Sequence, residues 1–202
     1  MLYLIRHAEA VGNAQGRVMG QRDLPLTERG RQQAQALATY LAAGGVRFGS
    51  VFASDLQRAA DTAAAVATGC GGGLQRRSDL REVGLGSLEG LTYPEVAERR
   101  RQPGFLRGQE SAESLRLRVA RSGTELLDAA RTADVAAVTH GGTLAHLLRF
   151  LLELPMLPGP NAPSIRHDNT GVSVLSFGPE GTRLLCLNTL YHLTGVVPGR
   201  TP

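Results

Sequence analysis

The chain of 202 residues has no lysine and no tryptophan, two cysteines, and aromatic side chains limited to four tyrosines and five phenylalanines. All 22 of its basic residues are arginine. Schiff-base and pyridoxal enzymes need a lysine amine, and a Walker A nucleotide site needs a lysine on the phosphates. Neither can be built here. Cys70 and Cys186 match neither a zinc motif nor a disulfide framework, so both read as free thiols. No uncharged run reaches the roughly 18 apolar residues of a membrane span. The stretch from Met1 to Arg6 leaves no room for the basic leader and apolar segment of a signal peptide, and the expected location is the cytoplasm.

What the chain does have is a set of planar, permanently charged cations suited to bidentate contacts with carboxylate or phosphate. The net charge of +4 is by itself only a weak pull toward anions. Apolar residues make up 42% of the chain, enough for a core built from leucine, valine and alanine. Short apolar runs alternate with longer helical patterns, the signature of an α/β domain with a mostly parallel sheet. Strands are expected at Leu2 to Ile5, Ser50 to Ala53, Val135 to Thr139, Val172 to Phe177 and Leu184 to Leu187. Thr27 is an N-cap for a helix carrying Ala34, Leu37, Ala38 and Leu41, and Ser54 or Asp55 for one carrying Ala59, Ala63 and Val66. Cys70 is placed in the glycine loop Gly69 to Gly73. The charged stretch 91–131 lacks a strand pattern and reads as a small helical cover over the sheet's edge. Four prolines and a glycine make Leu154 to Pro163 an irregular loop. The expectation is one domain, 1–202, a three-layer α/β/α sandwich with 91–131 inserted as its cover.

Three of the apolar runs end in groups able to handle a phosphate: Arg6-His7, Ser54 leading to Arg58, and His140-Gly141-Gly142. Ligands of open parallel sheets bind beyond the carboxyl ends of the strands. These sequence-distant sets can therefore meet in one crevice, with two helix N-termini adding free N–H groups and positive partial charge.

At this point the ordered motifs become recognisable. LIRHAEAVGNAQGRVMGQRDLPLTERGRQQA, SDLQRAADTA, LREVGLGSLEG, the GQES segment at Gly108 to Ser111, VTHGGTL and NTGVSVL follow one another along nearly the whole chain. Together they resemble the histidine phosphatase superfamily, which includes the cofactor-dependent phosphoglycerate mutases. The resemblance implies that His7 is the nucleophile, transiently phosphorylated, with Arg6, Arg58 and His140 around the transferred phosphoryl group. It implies that Glu82 protonates the leaving oxygen and then activates water, while Asn13 and the Gly141 N–H complete the phosphate pocket. Two small substitutions depart from the usual pattern, Ala8 for glycine and Ala10 for threonine or serine. At position 21 a glutamine replaces the aromatic residue of several relatives.

The chemistry asks for the same residue types. Charge on the equatorial oxygens of a phosphoryl-transfer transition state is stabilised by positioned cations, and two arginine forks with a second histidine supply this without a metal or cofactor. His7 has to attack through an unprotonated ring nitrogen, which nearby guanidinium groups favour. His140, facing phosphate oxygens, is more useful protonated. Glu82 has to begin protonated, so a mildly acidic to neutral optimum is expected. His146, His167 and His192 are assigned packing or surface roles, Thr27 is a cap first, and Glu89 is as readily a solvated turn acid as a site residue. Arg99, Arg100 and Arg101 read as a solvated helix face.

A cover of about twenty residues between Gly90 and Gly108, crossed by Pro94 and Pro103, admits water and favours hydrolysis of a small phosphorylated metabolite. Mutase-type transfer, hydrolysis of protein phosphohistidine and a non-catalytic phosphate-binding module are the alternatives. A nucleic-acid partner is disfavoured by the scarcity of aromatics and the lack of a basic stripe interleaved with them. No membrane partner is expected, and an exposed edge strand is compatible with a homodimer.

Overall fold

Along β1 (Leu2–Arg6) the side chains divide by parity: Leu2 and Leu4 enter one core, Tyr3 and Ile5 the other. This is the two-residue period of a strand covered on both faces. The other strands are β2 (Ser50–Ser54), β3 (Gly73–Arg77), β4 (Val135–Thr139), β5 (Val172–Gly178) and β6 (Gly181–Thr189), arranged in the order β3-β2-β4-β1-β5-β6. The computed structural model describes residues 1–102, 104–105, 107–156 and 164–194. β2, β3 and β4 run parallel to β1, whereas β5 is antiparallel to it and pairs antiparallel with β6 in a hairpin. The sheet is therefore mostly parallel, as the alternation of apolar runs implied.

Helices α2 (Glu28–Ala43) and α3 (Gln57–Cys70) cover one face, placing Leu37, Leu41, Ala59, Ala63 and Val66 against Tyr3, Ile5 and Val138. Helices α5 (Ala112–Ala130) and α6 (Gly141–Leu151) cover the other, with Val119, Leu126, Leu144, Leu147 and Leu148 against Leu2, Leu4 and Ala137. Two short helices, α1 (Val11–Ala14) and α4 (Tyr93–Arg99), lie in connections. Thr27 caps α2 by accepting the Gly30 N–H at 2.9 Å. Among the described residues no helix is long and apolar enough to cross a membrane.

Four local readings change. The stretch 91–131 is not one cover: its second half is α5, whose Leu115, Val119 and Leu126 belong to the core, and only the part around α4 overhangs the sheet ends. Charge on the outer face of α5 disguised its buried stripe. Cys70 is the last residue of α3, and the glycines after it lead into β3, an edge strand that sequence reasoning missed because Gly73–Arg77 is polar and mostly exposed. Neither Ser54 nor Asp55 caps α3. Its N-cap is Leu56, and the Gln57 N–H instead donates to Asp23 from a distant turn, at 2.7 Å. The expected loop at Leu154 to Pro163 lies outside the described residues from position 157 onward. At the opposite edge, β6 leaves Leu184, Leu185 and Leu187 exposed.

Leu147 is fully buried between α6 and the sheet, whereas Leu185 is 54% exposed. Leu147→Ala is expected to lower the unfolding free energy by about 2–5 kcal/mol, and Leu185→Ala to change it by less than about 0.5 kcal/mol. Urea denaturation of the two variants checks the contrast.

Candidate active site

Parallel register brings the two site histidines together. β1 and β4 pair with Arg6 opposite Thr139, so His7 and His140 leave adjacent strand ends side by side. The His7 N–H continues the ladder to Thr139 O at 2.9 Å, and the two ring centroids lie 5.1 Å apart. β2 lies on the other side of β4, and the chain leaving it enters α3, whose first turn carries Arg58. These ends open into a cavity of about 740 Å³ whose lining includes Arg6, His7, Asn13, Arg58, Glu82 and Gly141. Six of the seven residues expected at the site from sequence line it; the seventh, His140, does not, and is buried beside His7.

His7 is held in one tautomer. Its Nδ1–H donates to its neighbour's carbonyl, Ala8 O, at 2.7 Å, which leaves Nε2 as the nitrogen with a free lone pair. Burial, then the positive charges of Arg6 and Arg58, push its pKa well below the ordinary histidine value, outweighing the Ala8 hydrogen bond. His140 is also pushed well below that value, by burial first and then by His7, Arg58 and Arg6. The protonated His140 expected from sequence is therefore not the form this environment favours. A neutral imidazole still carries one N–H donor, and neither ring nitrogen of His140 has a hydrogen-bond partner among the described residues.

The two arginines are aimed by main-chain carbonyls. Arg6 Nη1 donates to His167 O at 2.6 Å; Arg58 Nη1 and Nη2 donate to Arg22 O at 2.7 Å and Gly20 O at 2.8 Å. The Nε of each is buried and has no partner among the described residues. Arg58 is completely buried, and burial pushes its pKa down to about 10, so it remains charged at neutral pH. Its partner Gly20 has φ +51°, and a Cβ there would come within 2.2 Å of Glu89 Oε1. Glu89 itself accepts the N–H groups of Gln21 and Leu85, which makes it a pin for this turn rather than a solvated acid.

Glu82 is seated on the N-terminus of α6. Its Oε1 accepts the N–H groups of Val83 at 2.9 Å and Thr143 at 3.0 Å, and its Oε2 accepts the Gly142 N–H at 3.1 Å. A Cβ at position 142 would lie 2.7 Å from Oε1, so glycine there is what lets the carboxylate reach the helix end. Gln21 donates through Nε2 to Glu82 O at 3.1 Å. Asn13 Oδ1 accepts from the Ala10 N–H and from Asn169 Nδ2, which turns the Asn13 amide nitrogen toward the cavity.

Several contributors were not read from sequence. Asn169 also binds His7 O, at 3.0 Å, and Thr62 Oγ1 accepts the Ala8 N–H at 3.0 Å. Thr62 lies one helical turn after Arg58, and Asn169 opens the NTGVSVL motif; those were the available signals. Arg17, Tyr93, Arg166 and Asp168 stand at the cavity mouth, on segments whose approach depends on the fold. His167 and His192 have packing roles, bonded to Ser173 and Thr170. Arg99 and Arg101 contact Gln102 and Glu98 on an exposed face.

With this geometry in place, the relatives can be named. Residues 2–190 match the histidine phosphatase superfamily (branch 1), and the chain belongs to that superfamily. It is 35% identical over 164 residues to a Salmonella paratyphi B protein named "Probable phosphoglycerate mutase GpmB", covering 76% of this chain and 75% of that one. Similar solved structures include the α-ribazole phosphatase of Shigella flexneri (TM-score 0.78, 26% identity, 93% of this chain and 96% of that one). Another is a mycobacterial glucosyl-3-phosphoglycerate phosphatase (TM-score 0.78, 29% identity, 94% and 98%).

All five histidines have pKa values below the ordinary one, with His167 and His192 brought down to about 4, in each case by burial first. The unfolded chain takes up protons near pH 6.5 that the folded protein refuses, so stability is fully present above that pH and is lost as the pH falls. Each histidine that stays neutral contributes a slope of about 1.4 kcal/mol per pH unit. Urea denaturation between pH 7.5 and about 4 should show a flat upper region and a steady decline below pH 6.5; a rise in stability on acidification would contradict these environments.

Proposed function

We propose that the protein is a metal-independent phosphatase that hydrolyses a small phosphomonoester through a phosphohistidine intermediate. The observation that carries this reading is a cavity lined by His7, Arg6, Arg58, Asn13, Glu82 and Gly141, at which Arg6 Nε and Arg58 Nε, and beside it the ring nitrogens of His140, are buried without a partner among the described residues. In this reading these groups, with the Asn13 amide and the first N–H of α6 at Gly141, hold the phosphoryl oxygens.

In the first step Nε2 of His7 forms a bond to phosphorus as the ester P–O bond breaks, and the leaving oxygen takes a proton from Glu82. Oε2 of Glu82 accepts one hydrogen bond where Oε1 accepts two from main-chain N–H groups, so Oε2 is the oxygen freer to carry that proton. In the second step a water attacks phosphorus, Glu82 takes the water's proton, the P–N bond breaks, and His7 returns to its neutral state. The nucleophile needs no deprotonation at neutral pH, because its environment already holds it neutral. A dianionic phosphoryl group also supplies the charge that would allow His140 to accept a proton.

Hydrolysis is favoured over transfer by the small size of the overhang once α5 is assigned to the sheet layer, and by similarity to solved phosphatases over more than nine-tenths of the chain. A mutase is the second reading, and the similarity to the Salmonella protein is the observation in its favour. The mouth combines Arg17, Arg166 and Asp168 with Tyr93 and Ile165, which suits a small polar phosphorylated metabolite as substrate.

A phosphomonoester screen that measures released phosphate, run with and without a chelator, tests the proposal. The wild type should release phosphate equally in both, and His7→Ala should release none. Glu82→Gln is expected to lose roughly 10²–10⁴ in rate, and Arg58→Met about 10²–10³. Brief mixing with substrate followed by a denaturing alkaline quench should trap phosphate on His7. Interconversion of phosphoglycerates with negligible phosphate release would favour the mutase, and equal activity of His7→Ala would defeat both readings.

A further inference from the structure

Glu82 belongs to no helix or strand. It lies in an irregular segment between two 3-10 turns, Ser78–Leu80 and Gly86–Leu88, where no regular ladder fixes the backbone. The segment is held from several sides: Thr143 Oγ1 donates to Arg81 O at 2.7 Å and Gln21 Nε2 to Glu82 O at 3.1 Å, and α5 contributes through Arg118. Arg118 Nη1 donates to Asp79 O at 3.1 Å and to Arg81 O at 3.0 Å, the latter being the residue just before Glu82. The remaining edge of the guanidinium, Nε and Nη2, meets both oxygens of Glu110 at 2.6 and 2.8 Å. Glu110 then holds the far side of the segment: its N–H donates to Gly84 O at 2.9 Å, and its Oε2 accepts the Gly84 N–H at 3.3 Å. Carbonyls at 79 and 81 and both main-chain groups at 84 are thereby tied to one ion pair, and Glu82 lies between them.

This pair is nearly buried, with side chains 12% and 10% exposed, and neither residue lines the cavity. Burial pushes the Glu110 carboxyl up, but the Arg118 fork outweighs it and holds the pKa below the usual carboxylate value, so the pair stays ionised at neutral pH. A surface ion pair would be a weak anchor. A buried, bidentate pair that also satisfies two main-chain carbonyls and a main-chain N–H has one geometry, and a guanidinium is the side chain with enough donors in the right plane to make it.

We infer that Arg118 and Glu110 are positioning residues for proton transfer, setting the Glu82 carboxyl between the α6 N-terminus and the leaving oxygen. The inference rests on the reading of Glu82 as the general acid. Neither residue touches the phosphoryl group, so the pair governs the acid step and leaves phosphate binding untouched.

The test is kcat/KM, which reports the step that breaks the ester bond, for an alkyl phosphate and for 4-nitrophenyl phosphate. The second leaves readily without a proton; the first does not. Arg118→Lys is expected to lose at least about tenfold more on the alkyl phosphate than on the aryl one, a part of the roughly 10²–10⁴ that general acid catalysis supplies. Glu82→Gln should show the same discrimination more strongly, and adding Arg118→Lys to Glu82→Gln should produce no further discrimination. Inhibition by inorganic phosphate should be unchanged in Arg118→Lys. If breaking the pair prevents folding, Arg118→Met/Glu110→Met removes both charges together, and the same comparison is made on that protein. Equal losses on both substrates, or a further selective loss in the Glu82→Gln background, would overturn the inference while leaving the Glu82 reading intact. No discrimination in Glu82→Gln itself would remove that reading, and the inference with it.

Discussion

Arg58 carries a positive charge into a fully buried position and is oriented there by the carbonyls of Gly20 and Arg22. Much of the site follows from this. A guanidinium held by neutral carbonyls keeps its charge, and that charge, with the one on Arg6, adds to burial in driving His7 toward its neutral form. The turn that supplies the carbonyls has to pass close beneath α3, which requires the left-handed Gly20 and the Glu89 pin behind it. Asp23 from the same turn caps α3 in place of a local side chain. One buried cation thus ties the first loop of the protein to the start of a helix more than thirty residues away.

The opposite wall is built on the other sign of charge. Glu82 lies on the N-terminus of α6, where the helix presents unpaired N–H groups and positive partial charge. The cavity therefore has cations at Arg6 and Arg58, a carboxyl group at Glu82 and the neutral His7 in its lining, with the neutral His140 buried beside His7. An arrangement of this kind separates two tasks, holding a phosphoryl group and managing a proton, that would interfere if one group performed both. It also explains the network behind Glu82. Bidentate pairs at Arg81 with Asp55, Arg77 with Asp79 and Arg118 with Glu110 all converge on the segment carrying the acid. A carboxyl group in irregular backbone keeps a fixed position only if its neighbours are fixed for it.

The lysine-free composition takes on meaning in this network. An ammonium group is a point charge with three rotatable donors, whereas each of these arginines grips a carboxylate with two donors of one plane, and Arg118 adds two main-chain carbonyls. Exposed arginines such as Arg101 and Arg131 form i,i+3 pairs with Glu98 and Asp128, which contribute little. The cations that matter are Arg6 and Arg58, which are aimed by main-chain carbonyls and line the cavity, and the three that brace the segment behind it.

Arg6, His7, Arg58 and His140 were legible because each stands at the end of an apolar strand or at a helix start, and parallel strands deliver such positions to one end of the sheet; Glu82 and Asn13 were reached only through the family resemblance. His7, His140 and Arg58 needed only that rule, and the order of the motifs identified the superfamily. The two-sided core was legible in the same way, through five-residue apolar runs. The edge strand β3 was not, because a strand with little burial has no apolar signature, and α5 was mistaken for a cover because its exposed charges outnumber its buried stripe. Nor could the sequence reveal that His140 is held neutral, that Glu89 pins a turn, or that Arg118 and Glu110 bracket Glu82. Burial, tautomer and hydrogen-bond partner are properties of what surrounds a side chain. In this protein those surroundings come from segments far apart in the chain, and only the folded structure brings them within bonding distance.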